Sequence, residues 1–141
     1  MTELRPITPV VTAVLASSRS CDRLPVPDGT TALRVQPREV LIVGDVDVEE
    51  LRTAVDEPTA VVVDVSDGWA GFVLDGDGAR AAFSRVSELA LPEIGWIQGE
   101  VARAAAKVIV EPRRLTLLVP AMLASHVEER IRADAAEMLA P

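Results

Sequence analysis

The segment Gly76–Ala81 has the spacing G-x-G-x-x-A, which in other proteins binds the pyrophosphate of a dinucleotide. It follows a predicted strand and opens a predicted helix, as that fingerprint requires. However, Asp75 and Asp77 would place two negative charges where the pyrophosphate sits on the helix N-terminus. The flanking βαβ halves of a nucleotide-binding fold are also missing. We therefore interpret the segment as a tight turn with Asp77 as helix cap, and expect no flavin or NAD in this chain.

Two short acidic runs resemble part of a calcium-binding loop. Such a loop needs a third ligand before its glycine and a glutamate at its end, and neither run supplies both. Acidic residues at helix N-termini are stabilised by the helix dipole, which explains these positions without a metal. We expect no metal site at either run, Asp75/Asp77 or Asp45/Asp47/Glu49.

His126 and Cys21 are the only histidine and the only cysteine. A single histidine cannot supply several histidine ligands to a zinc ion. His126 is also the only residue that could act as the histidine base of a catalytic nucleophile. Cys21 has no histidine near it in sequence and lies in a proline-rich stretch, so a nucleophilic role is not expected. The sequence thus predicts no catalytic, cofactor-binding or metal-binding residues.

Trp69 and Trp96 are the only tryptophans, and each lies close to glycines that let other backbone approach. Two interpretations stay open. Each ring can pack in the core or at a strand edge, or it can anchor a partner protein, since tryptophan is enriched at interface hot spots. Both residues are therefore candidates for a partner interface.

Composition excludes several classes of protein. The net charge of −8 opposes unaided binding to nucleic acid or to anionic membranes. No apolar run has the length of a membrane span, and the N-terminus lacks the basic region of a signal peptide. With a single cysteine no internal disulfide can form, so we expect a cytoplasmic protein.

The pattern of predicted elements indicates an α+β fold with a mainly antiparallel sheet. Prolines and serines predict a weakly regular segment over residues 1–30, with only a possible edge strand at Val10–Leu15. Residues 31–141 are predicted to form a single domain. The sequence predicts repeated strand–helix units within it, because the strand after Pro37 and the strand after Pro112 are each followed by a helix.

Two amphipathic helices are predicted to pack on one face of this sheet. Ala79–Leu89 has an apolar stripe at helical spacing, and Leu123–Met138 has another. We expect Phe83, Val127 and Ile131 to be nearly fully buried. A second face that these helices leave uncovered would offer apolar area to a partner.

Asp64-Val65-Ser66-Asp67 is similar to the motif Asp-x-Ser-His, and Leu74–Phe83 to Leu-Ser-Gly-Pro-x-Ala-Arg. Through these segments the chain resembles the gamma subunit of heterotetrameric sarcosine oxidase and the aminomethyltransferase-like folate-binding fold. The hairpin Thr31–Gly44, the strand pair Trp96–Val110 and the closing Leu117-Leu118-Val119-Pro120 also match in order and spacing. The sequence departs from the family by having Asp67 for histidine, Asp77 for proline and Ala121 for arginine.

The resemblance implies a short member of the family that acts as a non-catalytic subunit. It implies docking on a larger alpha-like chain, with beta and delta chains in the same complex, for oxidative demethylation of sarcosine or a related N-methyl amine. FAD, FMN, NAD and tetrahydrofolate would then belong to the partner chains. The alternatives are a stand-alone folate or small-ligand binding module, and an accessory domain of an unrelated complex.

Overall fold

The computed structural model describes all residues, 1–141. The chain forms two compact units: a first unit of Met1–Thr8 with Asp67–Pro141, and a second unit of Pro9–Ser66. The fold is α+β with antiparallel strands, as the sequence predicted, but the strands form two sheets where one sheet was expected. None of the helices combines the length and the apolar character that a membrane-spanning helix needs.

The first unit contains a five-stranded sheet in the order β1-β6-β9-β8-β7. Its strands are β1 (Glu3–Ile7), β6 (Trp69–Asp75), β7 (Gly95–Val101), β8 (Ala104–Glu111) and β9 (Arg114–Pro120). Its helices are α3 (Ala79–Ser84) and α4 (Ala124–Asp134), and 3₁₀ turns at Ala121–Leu123 and Ala136–Met138 flank α4.

The second unit contains a four-stranded sheet in the order β3-β4-β2-β5. Its strands are β2 (Val11–Leu15), β3 (Thr31–Gln36), β4 (Glu39–Val43) and β5 (Val61–Asp64). Its helices are α1 (Ser18–Asp22) and α2 (Val48–Val55), and a 3₁₀ turn at Ser66–Gly68 follows the last strand. Buried residues of both helices and of three strands form one cluster, namely Val14, Cys21, Val40, Ile42, Leu51, Val55 and Val62 among others.

The prediction of a weakly regular segment over residues 1–30 was wrong, because these residues form β1, β2 and α1. Pro6 is tolerated in β1 because that strand is an edge of its sheet, where a missing N–H breaks no ladder. Val11–Leu15 is not an edge strand, since it pairs with β4 on one side and β5 on the other. The boundary predicted at residue 30 lies inside the second unit.

The core of the first unit contains the residues predicted for it. Phe83, Val127 and Ile131 are exposed by 1%, 0% and 0%, which confirms that prediction. They share one buried cluster with alternate residues of the sheet, including Phe72, Leu74, Val108, Val110, Leu115, Leu117 and Val119. Because side chains alternate across a strand, this cluster defines one face of the sheet.

Both helices of this core are shorter than predicted. α3 ends at Ser84 because the chain then turns towards the β7–β8 hairpin, where the N–H of Ala102 bonds to Val86 O at 2.7 Å. The final helix is likewise shorter, because 3₁₀ turns flank it at both ends, and Pro120 is the last residue of β9.

Candidate functional site

The two glycines of the G-x-G-x-x-A segment make room for the N-terminal residues of the first unit. Gly76 has a φ of +132°, and a Cβ there would lie 2.8 Å from the backbone O of Met1. At Gly78 a Cβ would lie 2.6 Å from Thr2 Oγ1. The space beside these glycines is therefore filled by Met1 and Thr2, which supports the interpretation of the segment as a turn.

Asp77 does not cap α3, contrary to the prediction. Its carboxylate lies 3.1 Å from Arg113 Nε, and the helix begins after Gly78 without a side-chain cap. Asp75 lies 3.2 Å from Arg114 in the paired strand β9. Both carboxylates thus face arginines that are distant in sequence.

Substituting Gly76 by alanine is expected to lower the free energy of unfolding by about 1–3 kcal/mol, since a side chain is strained at this φ and would meet the Met1 backbone. Urea unfolding followed by tryptophan fluorescence measures the effect. Gly68→Ala is the matched control, because nothing lies within 4 Å of its Cβ position. Equal stability of the Gly76→Ala variant and the native protein would contradict this account.

The acidic run at Asp45, Asp47 and Glu49 belongs to the start of α2. Asp47 accepts hydrogen bonds from the N–H groups of Glu49 and Glu50 at 3.0 and 3.1 Å and so caps the helix. The Glu49 carboxylate pairs with Arg52. No group of three or more histidine, cysteine or acidic side chains is arranged to hold a metal ion.

Cys21 and His126 belong to different units. Cys21 is buried, with its sulfur 3.9 Å from Ala16 O. His126 Nε2 lies 2.8 Å from the backbone O of Ala102, so this side chain ties α4 to the β7–β8 turn.

Asp64-Val65-Ser66, the segment that resembles a family motif, joins the two ends of the second unit. Ser66 Oγ accepts a hydrogen bond from Val11 N–H at 2.8 Å, and Asp64 accepts one from Ser66 N–H at 2.8 Å. The hydroxyl and the N–H of Ser66 lower the pKa of the Asp64 carboxyl. The motif residues therefore hold β5 beside the start of β2.

A cluster that the sequence did not reveal joins α1 to the loop after α2. The Glu57 carboxylate accepts hydrogen bonds from the hydroxyls of Ser20 and Ser17 and from Ser17 N–H, the last at 3.0 Å. These bonds, the Ser20 bond first, lower the pKa of Glu57, with a smaller contribution from the charge of Arg38. Of these residues only Ser17 was recognisable from the sequence, because serine is a favoured residue at the N-terminus of a helix.

This cluster predicts a specific pH dependence. Because the pKa of Glu57 is lowered in the folded protein, its stabilising contribution is present above its ordinary value of 4.5 and is lost as the pH falls through the folded value. Glu57→Gln should therefore be less stable than the native protein at neutral pH, and the difference should shrink in acid. Urea midpoints from circular dichroism test this, with exposed Glu50→Gln as control. A difference that is constant with pH would contradict it.

The two tryptophans lie on the same face of the five-stranded sheet. The register pairs Trp69 with Pro120 and Trp96 with Ile109, and both alternate with residues of the buried cluster. They therefore occupy the face opposite that cluster, on the second and fifth strands in sheet order. We call this surface the tryptophan face; its central members are Trp69, Trp96, Gln98, Lys107, Ile109 and Thr116.

The tryptophan face combines aromatic, aliphatic and charged groups. The Lys107 ammonium lies 5.9 Å from the centre of the Trp69 ring and 2.8 Å from Gln98 Oε1. Both tryptophans, Lys107 and Ile109 are half-buried. Val73 and Leu118 on the same side of β6 and β9 are buried, so the open part of the face lies over β7 and β8.

No protein-family model matches the sequence, and no curated protein matches it by sequence. A chain of the heterotetrameric sarcosine oxidase from Corynebacterium sp. U-96, solved in complex with pyrrole 2-carboxylate, matches with a TM-score of 0.83 at 15% identity. The match covers 99% of this chain and 86% of that chain. The chain therefore has the fold of a chain in that oxidase.

A second solved structure matches more distantly. It is a putative C-terminal regulatory domain of aspartate kinase from Porphyromonas gingivalis W83, with a TM-score of 0.47 and 11% identity. That match covers 96% of this chain and 97% of the other. A TM-score this low supports no conclusion about fold or function.

Proposed function

We propose that this chain is a non-catalytic subunit of an oxidase complex of the heterotetrameric sarcosine oxidase type. The observation that carries the proposal is the match over 99% of this chain with a TM-score of 0.83. Because 86% of the matched chain is covered as well, that chain is also a small one. The sequence resemblance also implies that this chain is a small subunit of a multi-subunit oxidase.

In this proposal the chain docks on a larger alpha-like chain, in a complex that oxidatively demethylates sarcosine or a related N-methyl amine. Beta and delta chains complete the complex, and FAD, FMN, NAD and tetrahydrofolate are bound by the partners. This chain contributes an interaction surface. Its role is to stabilise the complex, and it does not contact the substrate.

The tryptophan face is the surface that we propose for docking. Interface cores are enriched in tryptophan, and hot spots cluster where such rings become fully desolvated. Trp69 and Trp96 are half-buried, so each has ring area left for a partner to cover. Lys107 and Gln98 lie beside them and can form the polar part of the same contact.

Affinity purification of the tagged chain from its native host tests the proposal. We expect recovery of a larger chain with the absorbance of bound flavin, in a fixed ratio to this one. Recovery of partners without flavin would favour an accessory domain of another complex. If the protein is recovered alone and binds tetrahydrofolate in a fluorescence titration, it is a stand-alone folate-binding module instead.

A further inference from the structure

A cleft in the first unit is lined by three arginines. It has a volume of about 670 Å³ and lies between residues 84–89, the β7–β8 turn and α4. Arg85, Arg103 and Arg130 contribute to its lining, together with the serines Ser84 and Ser87 and the acidic residues Glu88 and Glu100. Guanidinium groups bind carboxylate and phosphate through paired hydrogen bonds, so a cluster of three of them favours an oxyanion ligand.

The turn that carries Arg103 has an unusual backbone. Ala102 and Arg103 form the two-residue connection between β7 and β8, with φ of 49° and 66°. Turns of this kind favour Asn-Gly, because residues with a Cβ are strained at positive φ. Two hydrogen bonds hold the turn in place. His126 Nε2 bonds to the backbone O of Ala102 at 2.8 Å, and the N–H of Ala102 donates to Val86 O at 2.7 Å. These bonds therefore fix the backbone from which the exposed Arg103 side chain extends beside the cleft.

The three guanidinium groups differ in how their charge is compensated. Arg85 pairs with Glu137, and Arg130 lies 3.1 Å from Asp134. Arg103 has no ion pair and no side-chain hydrogen bond. Because a guanidinium has five N–H donors, the two paired arginines also keep donors for a ligand. Two carboxylates in the lining, Glu88 and Glu100, oppose an anion.

We propose that this cleft binds a small oxyanion, a carboxylate or a phosphate, with Arg103 as its principal contact. The site goes beyond the proposed docking role and does not depend on it. The protein as a whole repels anions because its net charge is −8, so binding requires this local group of arginines. The cleft would then be a binding site for a small anion in this chain, separate from the tryptophan face.

Calorimetric titration of the full-length chain with inorganic phosphate and with citrate tests the site, with sodium chloride at matched ionic strength as reference. We expect saturable binding of at least one of the two anions. Arg103→Gly should weaken it by about tenfold or more, the loss expected for a charged hydrogen-bonding group. This variant should melt at the same or a higher temperature than the native protein, since glycine suits the left-handed turn.

Two further variants separate local charge from general effects. Arg23→Gln removes an exposed arginine of the second unit and should leave the affinity unchanged. Glu88→Gln removes one of the two carboxylates in the lining and should tighten binding. Binding of phosphate alone or citrate alone assigns the site to that anion. Equal affinity of the native protein and Arg103→Gly, or no binding beyond that of chloride, would overturn the proposal.

Discussion

Replacing Phe83 by alanine is expected to lower the free energy of unfolding of the first unit by about 3–5 kcal/mol. The ring is 1% exposed and lies in the cluster that joins α3 and α4 to the sheet. Removing it leaves a cavity among rigid strand residues, so the surrounding side chains can fill the space only in part. Of the changes considered for stability, this one has the largest expected effect.

Tryptophan fluorescence is the appropriate probe for this measurement. Both tryptophans belong to the first unit together with Phe83, and the second unit has none. Urea unfolding followed by fluorescence therefore reports the unit that contains the substitution, even if the two units unfold separately. Phe83→Leu keeps most of the buried volume and should cost less than about 1.5 kcal/mol. An alanine variant that loses no more than the leucine variant would show that Phe83 is not central to the core.

The parts of the fold that were predictable depend on local periodicity. The apolar stripe that begins at Ala79 identified the buried side of α3, and the acidic run that includes Asp47 indicated a helix N-terminus at α2. In both cases the decisive interactions lie within one turn of helix. The end of α3 was not predictable, since it depends on a hydrogen bond between Val86 and Ala102 of another element.

The errors in the N-terminal segment have a related cause. Proline disrupts an inner strand of a sheet, because it lacks the N–H that would bond to the neighbouring strand. Pro6 lies in an edge strand, which tolerates it. Nothing in residues 1–30 shows that β1 pairs with β6, about seventy residues later, while β2 pairs with β4 and β5. Proline content alone therefore placed a boundary where the chain is continuous in structure.

The candidate surface was partly predictable. The sequence singled out Trp69 and Trp96 as possible anchors, but the register of four strands decides that they share a face. The Glu57 cluster and the arginine cleft were missed because their members come from separate elements. Ser17 and Glu57 are 40 residues apart, and Arg103 and Arg130 lie on a turn and a helix.

If the tryptophan face is the docking surface, Trp96→Ala should weaken binding to the alpha-like chain by about 2 kcal/mol or more, roughly thirtyfold. Trp96 lies on the outermost strand of the sheet, over the open part of the face, so its ring would be desolvated by the partner. Trp69→Ala should also weaken binding, and it removes the contact with Lys107, which costs about 0.5–1 kcal/mol of stability at an exposed site.

The measurement is the dissociation constant of the reconstituted pair, determined by biolayer interferometry with variants whose thermal unfolding has been checked. Met122→Ala is the matched control, because its side chain is 90% exposed and apolar but lies outside the tryptophan face. Native affinity in both tryptophan variants would remove this face from the proposal and leave the subunit assignment to be tested by co-purification alone. Weakened binding by Trp96→Ala at unchanged stability would locate the contact over β7 and β8. A loss of binding caused by poor folding would instead affect Trp69→Ala at least as strongly as Trp96→Ala.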